Sequence, residues 1–232
     1  MSMIESVQLL QLLHLNDSAF PTGSFSHSYG LETYTQAGIV YDAITLRDYL
    51  SRRLLDGMVT FDFVFVREVL IAAQQNNMEF IDKLDEQISA MITAYELREA
   101  SAQVGRRFLR TALPLYGGAA AAAYFEAVQQ KRCSGHFAIA YGIVLGDMGI
   151  SSETALLTYA NAFVMGQAAA AVKLMNLGQT RTHTLIAEMQ PVIQQAVERS
   201  LAYTLDDCQI FTPALDIRAM QHEYLFRRLF IS

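Results

Sequence analysis

Two short stretches hold the residues closest to a reactive arrangement. In Cys133-Ser134-Gly135-His136 a thiolate and an imidazole three positions apart could share a metal ion. One such pair falls short of the four ligands of a closed tetrahedral site, and a plain turn accounts for the same residues. In Ser24-Phe25-Ser26-His27-Ser28 three hydroxyls flank an imidazole. A nucleophilic serine needs a base oriented by a third group, and adjacent residues of a helix point in different directions. Capping and turn hydrogen bonds explain these serines better. The other histidines, His14, His183 and His222, are scattered. The sequence contains no G-x-x-x-x-G-K-[ST] phosphate loop, no H-E-x-x-H and no D-D-x-x-D carboxylate pair. It therefore predicts no catalytic residue, no cofactor and no enzyme, with Cys133 and His136 as weak metal candidates.

The elements that must position these residues read as helices throughout, because apolar residues recur at helical spacing and strand-like alternation is scarce. Expected helices span 3–13, 24–37, a segment opened by a capping box at Thr45 and Asp48, 61–73, 80–92 and 95–113, the last ended by Pro114. An alanine-rich helix follows Gly117-Gly118, then a short apolar one over 136–145. Ser151 caps a long helix to Met175, and two more span 182–189 and 192–205. Lys173 lies late in the long apolar helix, where it either snorkels at the C-terminus or meets a partner. The four alanines Ala168 to Ala171 favour close helix approach. The expectation is an all-α single domain of about ten helices in a bundle-like array spanning 1–232.

Composition narrows the function classes. Hydrophobic residues make up 52% of the 232 and charged residues 17%, which suits a folded chain with apolar surface left for other subunits. The net charge of -6 and the lack of a basic run argue against nucleic acid. Lys83, Lys131 and Lys173 are the only lysines among 17 basic residues; the arginine bias suits protein interfaces. The most apolar stretch, 156–175, is interrupted by Asn161, Gln167 and Lys173 and reads as a buried helix rather than a membrane span. No basic leader opens the sequence. These features imply a soluble, cytoplasmic protein.

Three segments carry a resemblance. The first runs from Phe20-Pro21-Thr22-Gly23-Ser24-Phe25 through Tyr29-Gly30-Leu31-Glu32. The second pairs Gly135-His136-Phe137 with Lys173 and Leu177-Gly178-Gln179-Thr180. The third is Pro213-Ala214-Leu215-Asp216-Ile217-Arg218-Ala219-Met220-Gln221-His222-Glu223, closed by Arg228-Leu229-Phe230-Ile231-Ser232. Together, and in this order, they resemble the UreF family of urease accessory proteins. That resemblance implies an all-α homodimer that works with UreD (also called UreH) and the GTPase UreG on apo-urease, coupling GTP hydrolysis to nickel insertion. By the same resemblance the partner-binding residues are Pro21, Gly23, Phe25, Tyr29, Glu32, Lys173, Asp216, Arg218, His222, Glu223, Arg228, Leu229 and Phe230.

The tail, 213–232, supports an interaction role on physical grounds. Tyr224, Leu225, Phe226, Leu229, Phe230 and Ile231 form an apolar face beside Arg227 and Arg228. Burying one such side chain is worth about 1.5–3 kcal/mol, so the tail must pack on its own domain or on a partner. The competing reading is a helical enzyme or small-ligand protein with a pocket lined by Tyr, Phe and Met.

Overall fold

The computed structural model describes residues 6–209, 212–222, 225 and 228–231, with the backbone alone at residue 25. Among these residues every regular element is helical, and eleven α-helices follow in chain order. They are α1 (Ser6–Leu15), α2 (Leu31–Gln36), α3 (Ala43–Arg52), α4 (Asp62–Gln74), α5 (Met78–Met91), α6 (Tyr95–Tyr116), α7 (Ala119–Gln129), α8 (Phe137–Asp147), α9 (Ser152–Met175), α10 (Gln179–Ser200) and α11 (Pro213–His222). The all-α expectation holds.

Helix α8 is the axis. Its residues from Ala138 to Gly146 are all buried, and it packs between α4 and α6. A side chain at Gly142 or Gly146 would run into the α4 backbone, 2.7 Å from the carbonyl oxygens of Val66 and Leu70. Tight helix approach therefore rests on these two glycines. Ala168, Ala170 and Ala171 of α9 are also buried, whereas Ala169 is exposed. Helices α9 and α10 pair on the other side of α4, and α3 lies against α10. Phe108, Phe137, Tyr141 and Tyr159 form an aromatic cluster, with ring centroids 5.3–5.6 Å apart for the contacting pairs.

Several boundaries differ from the sequence expectation. The capping box at the start of α3 is Asp42 with Thr45, not Thr45 with Asp48: the Asp42 carboxylate accepts from Thr45 N at 2.8 Å, and Thr45 Oγ1 accepts from Asp42 N at 3.0 Å. Pro114 sits inside the last turn of α6, so that helix reaches Tyr116. Pro191 likewise lies inside α10, which runs unbroken from Gln179 where two helices were expected. Residues 24–37 form no single helix. Ser24–Ser26 makes one 3-10 turn, and α2 restarts at Leu31. Ser151 caps α9 as expected, its hydroxyl accepting from Thr154 N. Of the described helices, α9 alone is long and apolar enough to cross a membrane, and half of its most apolar window is buried inside the protein.

Candidate functional site

The loop between α1 and α2 brings a carboxylate into the interior. Phe20 is buried against Phe108, Pro21 is exposed, and Gly23 lies against the Arg107 guanidinium. Ser26 Oγ donates to Gly23 O at 2.6 Å. Gly30 takes φ 91°, a left-handed backbone that glycine adopts without strain. Its bare Cα also leaves room for Leu215, whose Cδ1 would stand 3.0 Å from an added Cβ. Ser28 Oγ then accepts from Glu32 N at 3.3 Å at the start of α2. Glu32 is wholly buried.

A buried carboxylate is costly unless hydrogen-bonded, and Glu32 is satisfied entirely by the C-terminal tail. His222 Nε2 donates to Oε2 at 2.9 Å, Leu229 N donates to Oε1 at 2.7 Å and Phe230 N donates to Oε2 at 3.2 Å. His222 is itself wholly buried, with its second ring nitrogen 3.4 Å from Glu96 Oε2. One residue further on, Ile231 N donates to Ser26 O at 2.8 Å. Helix α11 packs on α2 and α6. From α9, Gln167 Nε2 donates to Ser28 O at 3.2 Å, and Lys173 Nζ lies 5.7 Å from the Phe230 ring centroid. The first and third segments thus meet at one place, with Phe230 tucked in and Lys173 of the second beside it, whereas Gly135-His136-Phe137 lies elsewhere, against Ser89 and Ser101.

The outer face of this junction remains open to solvent. Leu229 is 70% exposed and Ile231 59%, and the exposed Arg228 and Lys173 lie beside them. On α11, Ile217 and Met220 are each 50% exposed. Arg218 stacks over the Tyr34 ring at 5.8 Å and donates to Gln221. Asp216 is half-buried, and desolvation raises its carboxyl above the usual range while Arg53 opposes the shift. Tyr29 sits at φ 51°; burial, assisted by the Asp62 charge, raises its phenol. Glu223 and the Phe25 side chain lie outside the described residues, as do Tyr224, Phe226 and Arg227.

Sequence reasoning missed Ser28 and Gln167 as parts of this junction. Gln167 registered only as a polar break in an apolar helix. A buried amide with no polar neighbour on its own helix was the available signal, because such a group must find a partner elsewhere.

The Cys133–His136 pair is split between different partners. Cys133 Sγ donates to Asp82 Oδ1 at 3.3 Å, and burial pushes its thiol up to about 12, which disfavours the thiolate a metal needs. The His136 ring lies between Ser89 Oγ at 2.9 Å and Ser101 Oγ at 3.2 Å, and desolvation lowers its pKa. Among the described residues no three His, Cys, Asp or Glu side chains cluster to hold a metal.

Comparison with known proteins decides the family. The UreF family model matches residues 40–190. A urease accessory protein UreF from Actinobacillus pleuropneumoniae serotype 5b (strain L20) is 34% identical over 226 residues, covering 97% of this chain and 99% of the relative. The chain belongs to the UreF family of urease accessory proteins. The UreF proteins of Lachnoclostridium phytofermentans and Haemophilus influenzae (strain PittEE) are likewise 34% identical, over 224 and 221 residues; they cover 97% and 95% of this chain. These UreF relatives are accessory proteins by description. Most of the Glu32 junction, 20–32 and 213–231, lies outside the 40–190 core of the UreF model, which includes only its Gln167 and Lys173, so the end-to-end pairwise matches are what extend the likeness to the rest.

Proposed function

We propose that this chain is a non-catalytic, cytoplasmic scaffold in urease maturation. It forms a homodimer, assembles with UreD/UreH and the GTPase UreG, and the complex loads nickel into apo-urease in a GTP-dependent step. The observation that carries this reading is the junction at Glu32. A buried carboxylate accepts from the tail backbone at Leu229 and Phe230, and Leu229, Ile231, Arg228 and Lys173 around it are each exposed. Apolar residues beside arginine are the composition of an interface anchor. Among the described residues, two clefts are lined mainly by charged and polar side chains, which does not match the Tyr-, Phe- and Met-lined pocket of the enzyme reading.

The test is Arg228→Ala. An interface arginine can be worth about 2 kcal/mol, so association with UreG in the presence of UreD should weaken about thirtyfold, and urease activation should fall in parallel. The fold and the dimer should persist. Wild-type pull-down together with wild-type activation would overturn the assignment of this face.

A further inference from the structure

Away from the Glu32 junction, a cleft of about 580 Å³ opens between α5, α6 and the turn joining α7 to α8. Its rim carries Arg98, Arg106, Lys131 and Arg132 against the single carboxylate of Glu99, in a chain whose net charge is -6. No described carboxylate lies within ion-pair distance of Arg98, Arg106 or Lys131; Arg132 pairs with Asp82 at 3.1 Å in an exposed position. The two inner guanidiniums are nonetheless fixed. Arg106 donates one N–H to Ser134 O at 2.8 Å, and Arg98 donates one to Ile92 O at 2.9 Å while stacking over Tyr95. Each retains further donors.

The floor is polar. Ser89 Oγ stands 3.0 Å from Ser134 Oγ and 2.9 Å from His136 Nε2. Burial lowers the pKa of the His136 ring; Asp85 and Glu99 act on it against Arg106 and Arg98, so charges of both signs reach that floor. Lys131 takes φ 60°, a conformation uncommon for a residue with a side chain and more often filled by glycine or asparagine. Next to this cleft, beyond Ser89, Arg132 and Ser134, lies a groove lined by Glu79, Asp82, Asp85 and Glu86. The cationic rim therefore borders an acidic groove, and the Asp85 carboxylate, which accepts from Ser134 N and Gly135 N, lies beneath the floor.

We propose that this cleft binds a small oxyanion of the phosphate class, with Arg98, Arg106, Lys131 and Arg132 surrounding it above the Ser89–Ser134–His136 floor. Arginine forks match such an anion with paired N–H donors, and the fixed guanidiniums lose little freedom on binding. A nucleic acid fits less well: among the described residues no Phe, Tyr or Trp lines the cleft for base stacking, the His136 ring is fully buried, and the acidic body repels a polyanion. This inference stands apart from the scaffold role.

The test is titration of the full chain with inorganic phosphate, followed by calorimetry and by phosphorus NMR line width, against chloride at matched ionic strength. Saturable one-to-one binding is expected in the millimolar range or tighter. Lys131→Glu should weaken it by about tenfold without altering the phosphate-free melting temperature, because Lys131 is exposed. Glu99→Gln, which removes the one carboxylate lining the cleft, should tighten binding severalfold, a gain that structural damage cannot produce. If Lys131→Glu melts early, Lys131→Gln and Glu99→Gln decide. No saturable binding in the wild type, or unchanged affinity in the variants, overturns the proposal.

Discussion

Two buried carboxylates organise this molecule, and they do so differently. Asp85 on α5 accepts from the Tyr124 hydroxyl on α7 and from the backbone N–H groups of Ser134 and Gly135. Glu32 accepts from the His222 ring and from the N–H groups of Leu229 and Phe230. Both are nearly or wholly shut off from water, and each is met by three donors. The donors of Asp85 belong to the packed body and have nowhere else to go. Those of Glu32 all belong to one segment that follows the body in sequence and packs on it through α2 and α6. The same chemistry therefore serves as a rivet in one place and a latch in the other, and the proposed partner surface lies at the latch.

Removing the rivet should have the largest effect. Asp85→Ala strands three buried donors, each costing about 1–3 kcal/mol when unpaired, so a loss of about 3 kcal/mol or more in unfolding free energy is expected. Equilibrium denaturation measures it. The transition should stay single, because no part of the Asp85 site can separate from the core. A loss below about 1 kcal/mol would remove the distinction between the two sites.

Glu32→Ala removes as many partners, but the tail can undock and hydrate its own N–H groups. Its cost to the body is capped by the free energy of tail docking. The expected signature is fast hydrogen exchange at the Leu229 and Phe230 amides, with the exchange of α4 and α8 unchanged. Loss of protection throughout the core would make Glu32 a second rivet.

The histidines sharpen the contrast on acidification. Burial lowers the pKa of both His136 and His27 below 6.5. Above 6.5 both states are neutral there and nothing changes. As pH falls through 6.5 the unfolded chain takes up protons that the folded chain refuses, so stability falls until the lowered folded value is reached. Each such proton contributes up to about 1.4 kcal/mol per pH unit. Asp62 and Asp216, whose carboxyls are raised by burial, act with the opposite sign towards lower pH. Denaturant midpoints between neutral and mildly acidic pH should therefore decline, and the decline should be shallower in His136→Gln. An equal slope in that variant would remove His136 from the account.

The body was largely legible in the sequence and the junction was not. Helix α5 announces itself through a periodic apolar face, and α9 through its long apolar run and the cap Ser151. Boundaries misled: a helix end was expected at Pro114 and two helices, 182–189 and 192–205, around Pro191, but a proline in a final turn, or in a helix held by packing, loses a hydrogen bond without ending the element. The motif residues around Glu32 stood out by resemblance. That Glu32 would accept from a segment about two hundred positions away follows from no local pattern, since periodicity carries no information about which distant donors meet a buried carboxylate.

Lys173 offers the finest division of the latch from the surface it presents. Its ammonium lies 5.7 Å from the Phe230 ring and is exposed, a geometry in which a cation–π contact is worth roughly 0.5–1 kcal/mol. Lys173→Met keeps the packed stem and removes the charge. If Lys173 clips the tail, exchange at the Phe230 amide should rise about two- to fivefold, the factor that this energy corresponds to, and Lys173→Arg should restore it. If Lys173 instead meets a partner, tail exchange stays at the wild-type rate while association with the accessory proteins weakens. An effect on both readouts would mean that the cation fixes Phe230 in the position from which the exposed Leu229 and Ile231 are presented, so that docking the tail and docking the partner are one event.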